Sequence, residues 1–270
     1  MIQVTALILT FNERENIGRT LNALPWVERV VIVDSYSNDE TLEIARTSHP
    51  GVKVIQRRFD SFAGQCNFGL TQIETPWVLS LDADYVLTDE LQSEIANLDP
   101  PADVAGYAAA FRYCVHGRVL RSSIYPPRTV LYRRERAVYR DEGHGHRVKV
   151  DGPIVRLKHR IDHDDRKPLS RWIRDQDRYA KVEANFLLSQ PNESLSAQDR
   201  LRKRVFFAAP VIFLYLFFGR GLILDGWPGC YYVFQRLFAE ILLSLRLLTQ
   251  CEHLEEPLES ERGSVPADKV

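Results

Sequence analysis

The sequence predicts an α/β protein, a mostly parallel sheet with helices on its faces, followed by C-terminal amphipathic helices suited to a membrane surface. Three observations lead there. Strand-length apolar runs alternate with helix-length segments as far as Asp84, the pattern of βαβ units in one parallel sheet. Three of the four apolar runs lead into polar residues, Thr10/Asn12/Glu13, Asp34 and Asp82/Asp84, and in such sheets the carboxyl ends of the strands open on the ligand crevice. The third is the 14-residue apolar run VFFAAPVIFLYLFF behind Arg200, Arg202, Lys203 and Arg204.

A chain of 270 residues holds one α/β domain with an appendage. Its 45% hydrophobic content and net charge of -1 exclude a disordered chain and advertise no nucleic-acid partner. The charge is unevenly spread: residues 156–204 carry 13 Lys and Arg against 8 Asp and Glu, and residues 251–270 carry 2 against 6. A basic segment, an apolar one and an acidic tail suit a protein resting on an anionic membrane. Cys66, Cys114, Cys230 and Cys251 form no CxxC pair, so neither a zinc knuckle nor a disulfide framework is indicated, and a reducing compartment is expected. The opening MIQVTALILTFNERE lacks a basic leader and reads as a first strand, not a signal peptide.

In order, the pattern predicts a strand over 4–10, a polar turn, and a helix over 15–24 that Pro25 stops. A second strand covers 29–33 and ends in Asp34; the polar loop after it offers Asn38 or Asp39 as cap for a helix over 41–47. A strand over 52–56, a helix over 62–72 and the run Trp77, Val78, Leu79 and Leu81 complete a βαβαβαβ half with right-handed crossovers. Asp82 and Asp84 lie two apart and project to the same side of an extended chain. Two close carboxylates repel, so the pair makes best sense with a hard divalent cation that holds a diphosphate on its other side. No glycine-rich loop follows the first strand, which removes the dinucleotide fingerprint and the P-loop. Asn12, Glu13 and Asp34 are then left to recognise a base or ribose.

Four motifs in this order and spacing, ALILTFNERENIGRTL, VVIVDSYSNDET, FAGQCNFGL and VLSLDADY, resemble the nucleotide-binding half of a family 2 glycosyltransferase with the GT-A fold. The resemblance implies a Rossmann-like sheet, with Thr10, Asn12, Glu13 and Asp34 around the nucleoside, Asp82 near the ribose and Asp84 on a Mg²⁺ or Mn²⁺ ion. Gln65 and Asn67 match the family's polar helix positions near the donor. That helix usually carries a basic residue beside the Asn; here Cys66 stands there, and Arg57 or Arg58 upstream is the substitute. Short strands over 105–113, 118–120, 129–133 and 137–139 would build the acceptor side. In the subgroup acting on lipopolysaccharide cores and lipid-linked glycans, a His-Glu pair precedes a stretch ending in Asp-Gly. Aligned on Asp151-Gly152, this chain has Gly145-His146 in its place. The catalytic base is therefore His146 by position, or Glu142 or Asp141 by chemistry.

Pro168 opens a long amphipathic helix marked by Leu169, Trp172, Ile173, Tyr179, Val182 and Phe186. Arg171-Trp172 is similar to the Arg-Trp of the QxxRW motif of processive relatives, but Pro168 stands where Gln belongs, so a processive synthase is not expected. The charged stretch from His163 to Lys167, with Arg171 and Trp172, marks either an acceptor mouth (His163, Asp164, Arg171, Trp172) or a charged helix cap. The run over 205–218 is shorter than the roughly 20 residues that span a bilayer. Residues 231–248 form a helix whose Gln235, Arg236, Glu240 and Arg246 share one arc, with Phe234, Phe238, Ile241 and Leu245 opposite, as in a helix lying in a membrane surface. Core or dimer helices are the other reading.

The expected organisation is a GT-A domain over 1–160, its donor half 1–99 and acceptor half 100–160, a helical membrane-associating region over 161–250, and an acidic disordered tail over 251–270. The expected function is metal-dependent, inverting transfer from a nucleotide-sugar to a lipid-linked or lipopolysaccharide acceptor at the cytoplasmic face of the inner membrane, with a homo-oligomer through the C-terminal helices as a further partner state. A nucleotidyltransferase needs a glycine- and arginine-rich first loop that TFNERENIG does not supply. The intact Asp82/Asp84 pair argues against a non-catalytic scaffold or glycan-binding protein, and the missing Glu beside Gly145 argues for one.

Overall fold

The computed structural model describes residues 2–142 and 145–251, and of residues 141, 142, 145–147, 250 and 251 the main chain alone. Strands β1 (Val4–Thr10), β2 (Arg29–Asp34), β3 (Val52–Gln56) and β4 (Trp77–Asp82) lie parallel in the order β3-β2-β1-β4. Helices α1 (Ile17–Asn22), α2 (Thr41–Ser48) and α3 (Phe62–Thr71) make the crossovers. Alternation along the strands sorts two layers. Ala6 and Ile8 of β1 pack with Ile17, Leu21 and Ala45, whereas Leu7 packs with Ala63, Cys66 and Leu70. A one-residue slip would exchange the two layers and undo the packing of both, and each buried Leu or Ile is worth about 1.5–3 kcal/mol.

The expected helix over 15–24 is shorter than its pattern. Glu13 O accepts the main-chain N–H of Asn16 and Ile17, and the Asn16 side chain donates to Glu13 and Asp165, so the helix opens only at Ile17. Tertiary hydrogen bonds override local propensity there.

The second half of the sheet is mixed. Strand β8 (Arg128–Arg133) runs antiparallel to both β4 and β6 (Gly106–Val115), and β7 (Arg118–Val119) folds back on β6. Strands β9 (Ala137–Glu142) and β10 (Gly145–Val150) form a separate hairpin. Besides β10, three elements of this half had no expectation: β5 (Tyr85–Leu87), α4 (Asp89–Ala96) and β11 (Ile154–His163). β11 enters between β6, to which it is parallel, and β5, to which it is antiparallel, so the sheet continues past the boundary expected at 160. Its sequence IVRLKHRIDH hides it: a register shift between Arg156 and Arg160 spaces the two buried residues, Leu157 and Ile161, four apart and breaks the period of two. The Glu94 carboxylate accepts the free N–H groups of Lys158 and His159 on that edge.

Helix α5 (Leu169–Ser189) starts behind Pro168 as expected, and is followed by α6 (Ala197–Lys203), α7 (Ala208–Leu214) and α8 (Trp227–Cys251). The apolar run is not one helix. Pro210 sits in the first turn of α7, where its missing N–H is harmless, and the chain then passes a wide turn at Tyr215–Gly219 and a tight one at Leu222–Asp225. Gly221 and Gly226 flank the latter at φ 68° and 63°, a region that disfavours any Cβ. Among the described residues no helix is long and apolar enough to cross a membrane. α8 turns its polar arc inward, where Glu240 pairs with Arg202 at 2.7 Å and Arg246 with Asp177 at 2.5 Å. Phe234, Phe238, Ile241 and Leu245 are left exposed. The acidic tail, beyond Cys251, lies outside the described residues.

Candidate active site

The parallel register brings the expected polar strand ends together, with Thr10 level with Asp34 and Leu9 level with Asp82. Asp34 is fully buried. It accepts from the Thr10 hydroxyl at 2.8 Å, from Ser37 N at 2.9 Å and from Gln56 Nε2 at 3.3 Å. The carboxylate therefore ties the loop after β2 to β1 and β3. Asn12 lies over that loop at φ 55°, a left-handed conformation that Asn tolerates better than most residues. Its N–H donates to Ser37 Oγ and its side-chain oxygen accepts from Asn38 N, both at 2.8 Å.

Gln65 and Asn67 of α3 are occupied inside the protein. The Gln65 amide donates to Ser35 Oγ and Arg57 O, and its oxygen accepts from Arg57 at 2.7 Å. Asn67 donates to Tyr139 O and accepts from Tyr139 N, which clamps the β9–β10 hairpin to α3. The Tyr139 hydroxyl also donates to Ser80 Oγ at 2.8 Å. This fixes the root of the hairpin two residues from Asp141 on one side and two from Asp82 on the other. Asp141 and His146 are directly paired across the hairpin, as are Glu142 and Gly145. The side chains of all three expected bases, Asp141, Glu142 and His146, lie outside the described part.

Asp84 is buried at the strand tip. His163 Nε2 stands 3.3 Å from its Oδ2 and Lys167 Nζ 3.9 Å. Burial alone would push this carboxyl up, but His163 and Lys167 outweigh it and hold the group below the usual carboxylate range. Its Oδ1 is buried and accepts no hydrogen bond among the described residues. That orphaned oxygen suits a divalent cation. Among the described residues no three His, Cys, Asp or Glu side chains form a ready cage; Mg²⁺ is usually held by one or two carboxylates and completes its shell with substrate phosphates and water, and Mn²⁺ favours the same oxygen donors. Asp82, half-buried, makes no ion pair among the described residues.

The strap 163–171 closes over the first loop. Lys167 Nζ is 3.1 Å from Glu13 and 3.4 Å from Asp165, so one ammonium serves three carboxylates and its own proton is held more tightly than usual despite burial. Glu13 is 8% exposed, and burial raises its carboxyl to about 7 even with Lys167 beside it. Arg171 donates to the main-chain oxygens of Phe11 and Asn12. Asp164, expected at an acceptor mouth, is turned inward, paired with Arg19 at 2.9 Å and Arg166 at 2.8 Å. His163 is packed among Tyr85, Tyr113 and Tyr125, with ring centroids 5.3, 4.9 and 4.6 Å away. Trp172 lies with Tyr113, His116, Asp165, Lys167 and Tyr231 along a crevice between the end of β6, the strap and α8.

Lys167 enters the site, and Arg128 stands within reach of the Asp82 and Asp84 charges, without having been singled out. Lys167 was legible only as one charge in a charged stretch. Arg128 follows Tyr125-Pro126-Pro127, a rigid dipeptide arm whose destination no local signal reveals.

The family model described as glycosyl transferase family 2 matches residues 5–152. An uncharacterised glycosyltransferase of Rickettsia typhi is 38% identical over 96 residues, 35% of this chain and 32% of that protein. The match thus spans about a third of the length of that relative. The lipopolysaccharide core biosynthesis glycosyltransferase LpsC of Rhizobium meliloti is 27% identical over 241 residues, 84% of this chain and 85% of that one. Among solved structures, a mannosyltransferase of Pyrobaculum calidifontis in complex with GDP-Man and Mn²⁺ superposes with TM-score 0.51 at 16% identity, over 92% of this chain and 87% of that one. At that identity the likeness speaks for the GT-A fold.

Proposed function

The chain belongs to glycosyl transferase family 2, and from that premise we propose that it moves a sugar from a nucleotide-sugar to a lipid-linked or lipopolysaccharide acceptor, with inversion and with a divalent metal. The observation that carries this reading is Asp84: a buried carboxylate with one oxygen unpartnered among the described residues, at the tip of the strand beside the Thr10/Asn12/Asp34 loops. Asp84, with Asp82 two residues before it, would hold Mg²⁺ or Mn²⁺; when bound, the ion neutralises charge on the departing diphosphate. Asn12 and the loop braced by Asp34 form the nucleoside wall, and Glu13 and Lys167 close its inner end. Trp172 and the crevice toward Tyr231 offer stacking surface to an acceptor sugar. In a single displacement, the acceptor hydroxyl attacks the anomeric carbon while its proton passes to a base on the hairpin, His146, Asp141 or Glu142. The bond to the nucleoside diphosphate breaks as the new one forms. Support for the donor and acceptor classes comes from the LpsC likeness and from the GDP-Man and Mn²⁺ of the mannosyltransferase.

A thermal-shift screen of nucleotide-sugars with Mn²⁺ tests the reading. A donor at 100 times its Kd should add about 2.7 kcal/mol, a rise of roughly 5–10 °C for a chain of this size. No shift with any nucleotide-sugar would count decisively against it.

The same proposal places the protein on the cytoplasmic face of the inner membrane. Phe206 is 78% exposed, Leu224 69% and Phe218 60%, on the segments between α6 and α8; Arg200 and Arg204 are exposed as well, and α8 adds its own exposed apolar arc. Such a surface suits anionic lipid, each basic residue adding about 1 kcal/mol. The wild-type chain should float with anionic vesicles and a Phe206→Ser/Phe218→Ser chain should not. A lipid-free dimer that ignores vesicles would assign the face to a second copy instead.

A further inference from the structure

One divalent ion neutralises only part of the charge on the diphosphate of a nucleotide-sugar, and of the two substitutes expected upstream of α3, Arg57 is committed elsewhere. Arg57 pairs with Asp60 at 2.6 Å, donates to Gln65 at 2.7 Å and lies over the Phe68 ring. Arg128 differs. It opens β8, whose antiparallel register with β4 pairs Trp77 with Arg133 and Leu79 with Leu131. Carried toward the tip of β4, that register brings Asp82 level with the start of β8. The guanidinium lies 5.0 Å from the centroid of Tyr125, whose hydroxyl meets that of Tyr85 at 2.5 Å, next to Asp84 in the chain. Asp82 and Asp84 both act on its charge. Yet among the described residues Arg128 makes no ion pair, and its residue is open to solvent. Pro126 and Pro127 stiffen the arm, so little entropy is lost when the guanidinium meets a ligand.

We propose that Arg128 is a ligand of the donor diphosphate, presented on the Tyr125-Pro126-Pro127 arm across the crevice from Asp82 and Asp84. A fork of N–H donors with no carboxylate of its own matches phosphate oxygens. As the glycosidic C–O bond breaks, its electron pair passes to a diphosphate oxygen, and Arg128 meets the charge that gathers there. The acceptor proton goes to the hairpin base, so the step needs no further reactant. The inference rests on the nucleotide-sugar reading above and adds a residue to it.

Arg128→Gln and Arg128→Lys test it, with nucleoside diphosphate and nucleoside as separate probes in Mn²⁺. The Gln variant should lose about 10-fold or more in affinity for the diphosphate and keep its affinity for the nucleoside; its kcat should fall by about 100-fold, with Lys restoring part of both. Equal losses for both probes would reveal a structural role and overturn the assignment, as would a Gln variant with wild-type diphosphate affinity and turnover. A wild-type chain that binds no nucleoside diphosphate would overturn the wider reading and this one together, whereas a wild-type chain that binds it beside an unaffected variant overturns Arg128 alone.

Discussion

Asp84→Asn is expected to lower sugar transfer by about 1,000-fold while the chain stays folded by circular dichroism. The substitution keeps the side chain's shape and removes the charge that His163 and Lys167 attend at 3.3 and 3.9 Å. It also replaces the orphaned Oδ1 by a neutral amide atom, which would bind a divalent cation far more weakly. The loss should therefore coincide with the loss of the Mn²⁺-dependent part of the donor's thermal shift. Mn²⁺ in excess should not restore turnover. A variant that turns over normally, or that responds to Mn²⁺ like the wild type, refutes Asp84 as the metal carboxylate.

Lys167→Met should be the most damaging change to stability in the site, by about 3–5 kcal/mol at pH 8, because it leaves Glu13, Asp84 and Asp165 without their shared ammonium. The loss should depend on pH with a definite sign. Burial raises the Glu13 carboxyl to about 7, above its unfolded value, so in the metal-free wild type its neutral form contributes stability that is complete below the unfolded pKa. That contribution fades as pH rises through about 7. Without Lys167, which favours the ionised form, the Glu13 carboxyl rises further. Urea unfolding in chelator should then show a larger penalty for the variant at pH 8 than at pH 5. A penalty equal at both would mean that Glu13 is not the group left uncompensated.

Much of the donor half could be read in advance. The strands over 4–10 and 52–56 and the parallel order follow from short-range alternation, and the residues at their tips are brought together simply because parallel strands end on the same side. The acceptor half was harder. β11 carries Arg156, Lys158, His159 and Arg160 with a register shift among them, so its pattern is that of a loop, and only pairing to β6 and β5 makes it a strand. Glu13, Gln65 and Asn67 were legible as site positions, but their partners were not: Gln65 braces Ser35 and Arg57, and Asn67 holds the hairpin's Tyr139. The α8 pattern showed a polar and an apolar arc. Which of them faces solvent depends on Arg202 and Asp177, which lie on α6 and α5.

By itself the sequence determined the βαβ half, the Asp82/Asp84 tip and the existence of two-faced C-terminal helices, because periodicity and spacing act over a few residues and survive without knowledge of the rest. Only the tertiary structure decided that Asp84 meets His163 and Lys167, that Arg128 stands over Tyr125 within reach of the Asp82 and Asp84 charges, and that α8 buries its charges and exposes its phenylalanines. These outcomes depend on which distant groups share a low-dielectric space, and there the strength of a charge and the cost of an unpaired atom are set by neighbours that local pattern does not specify.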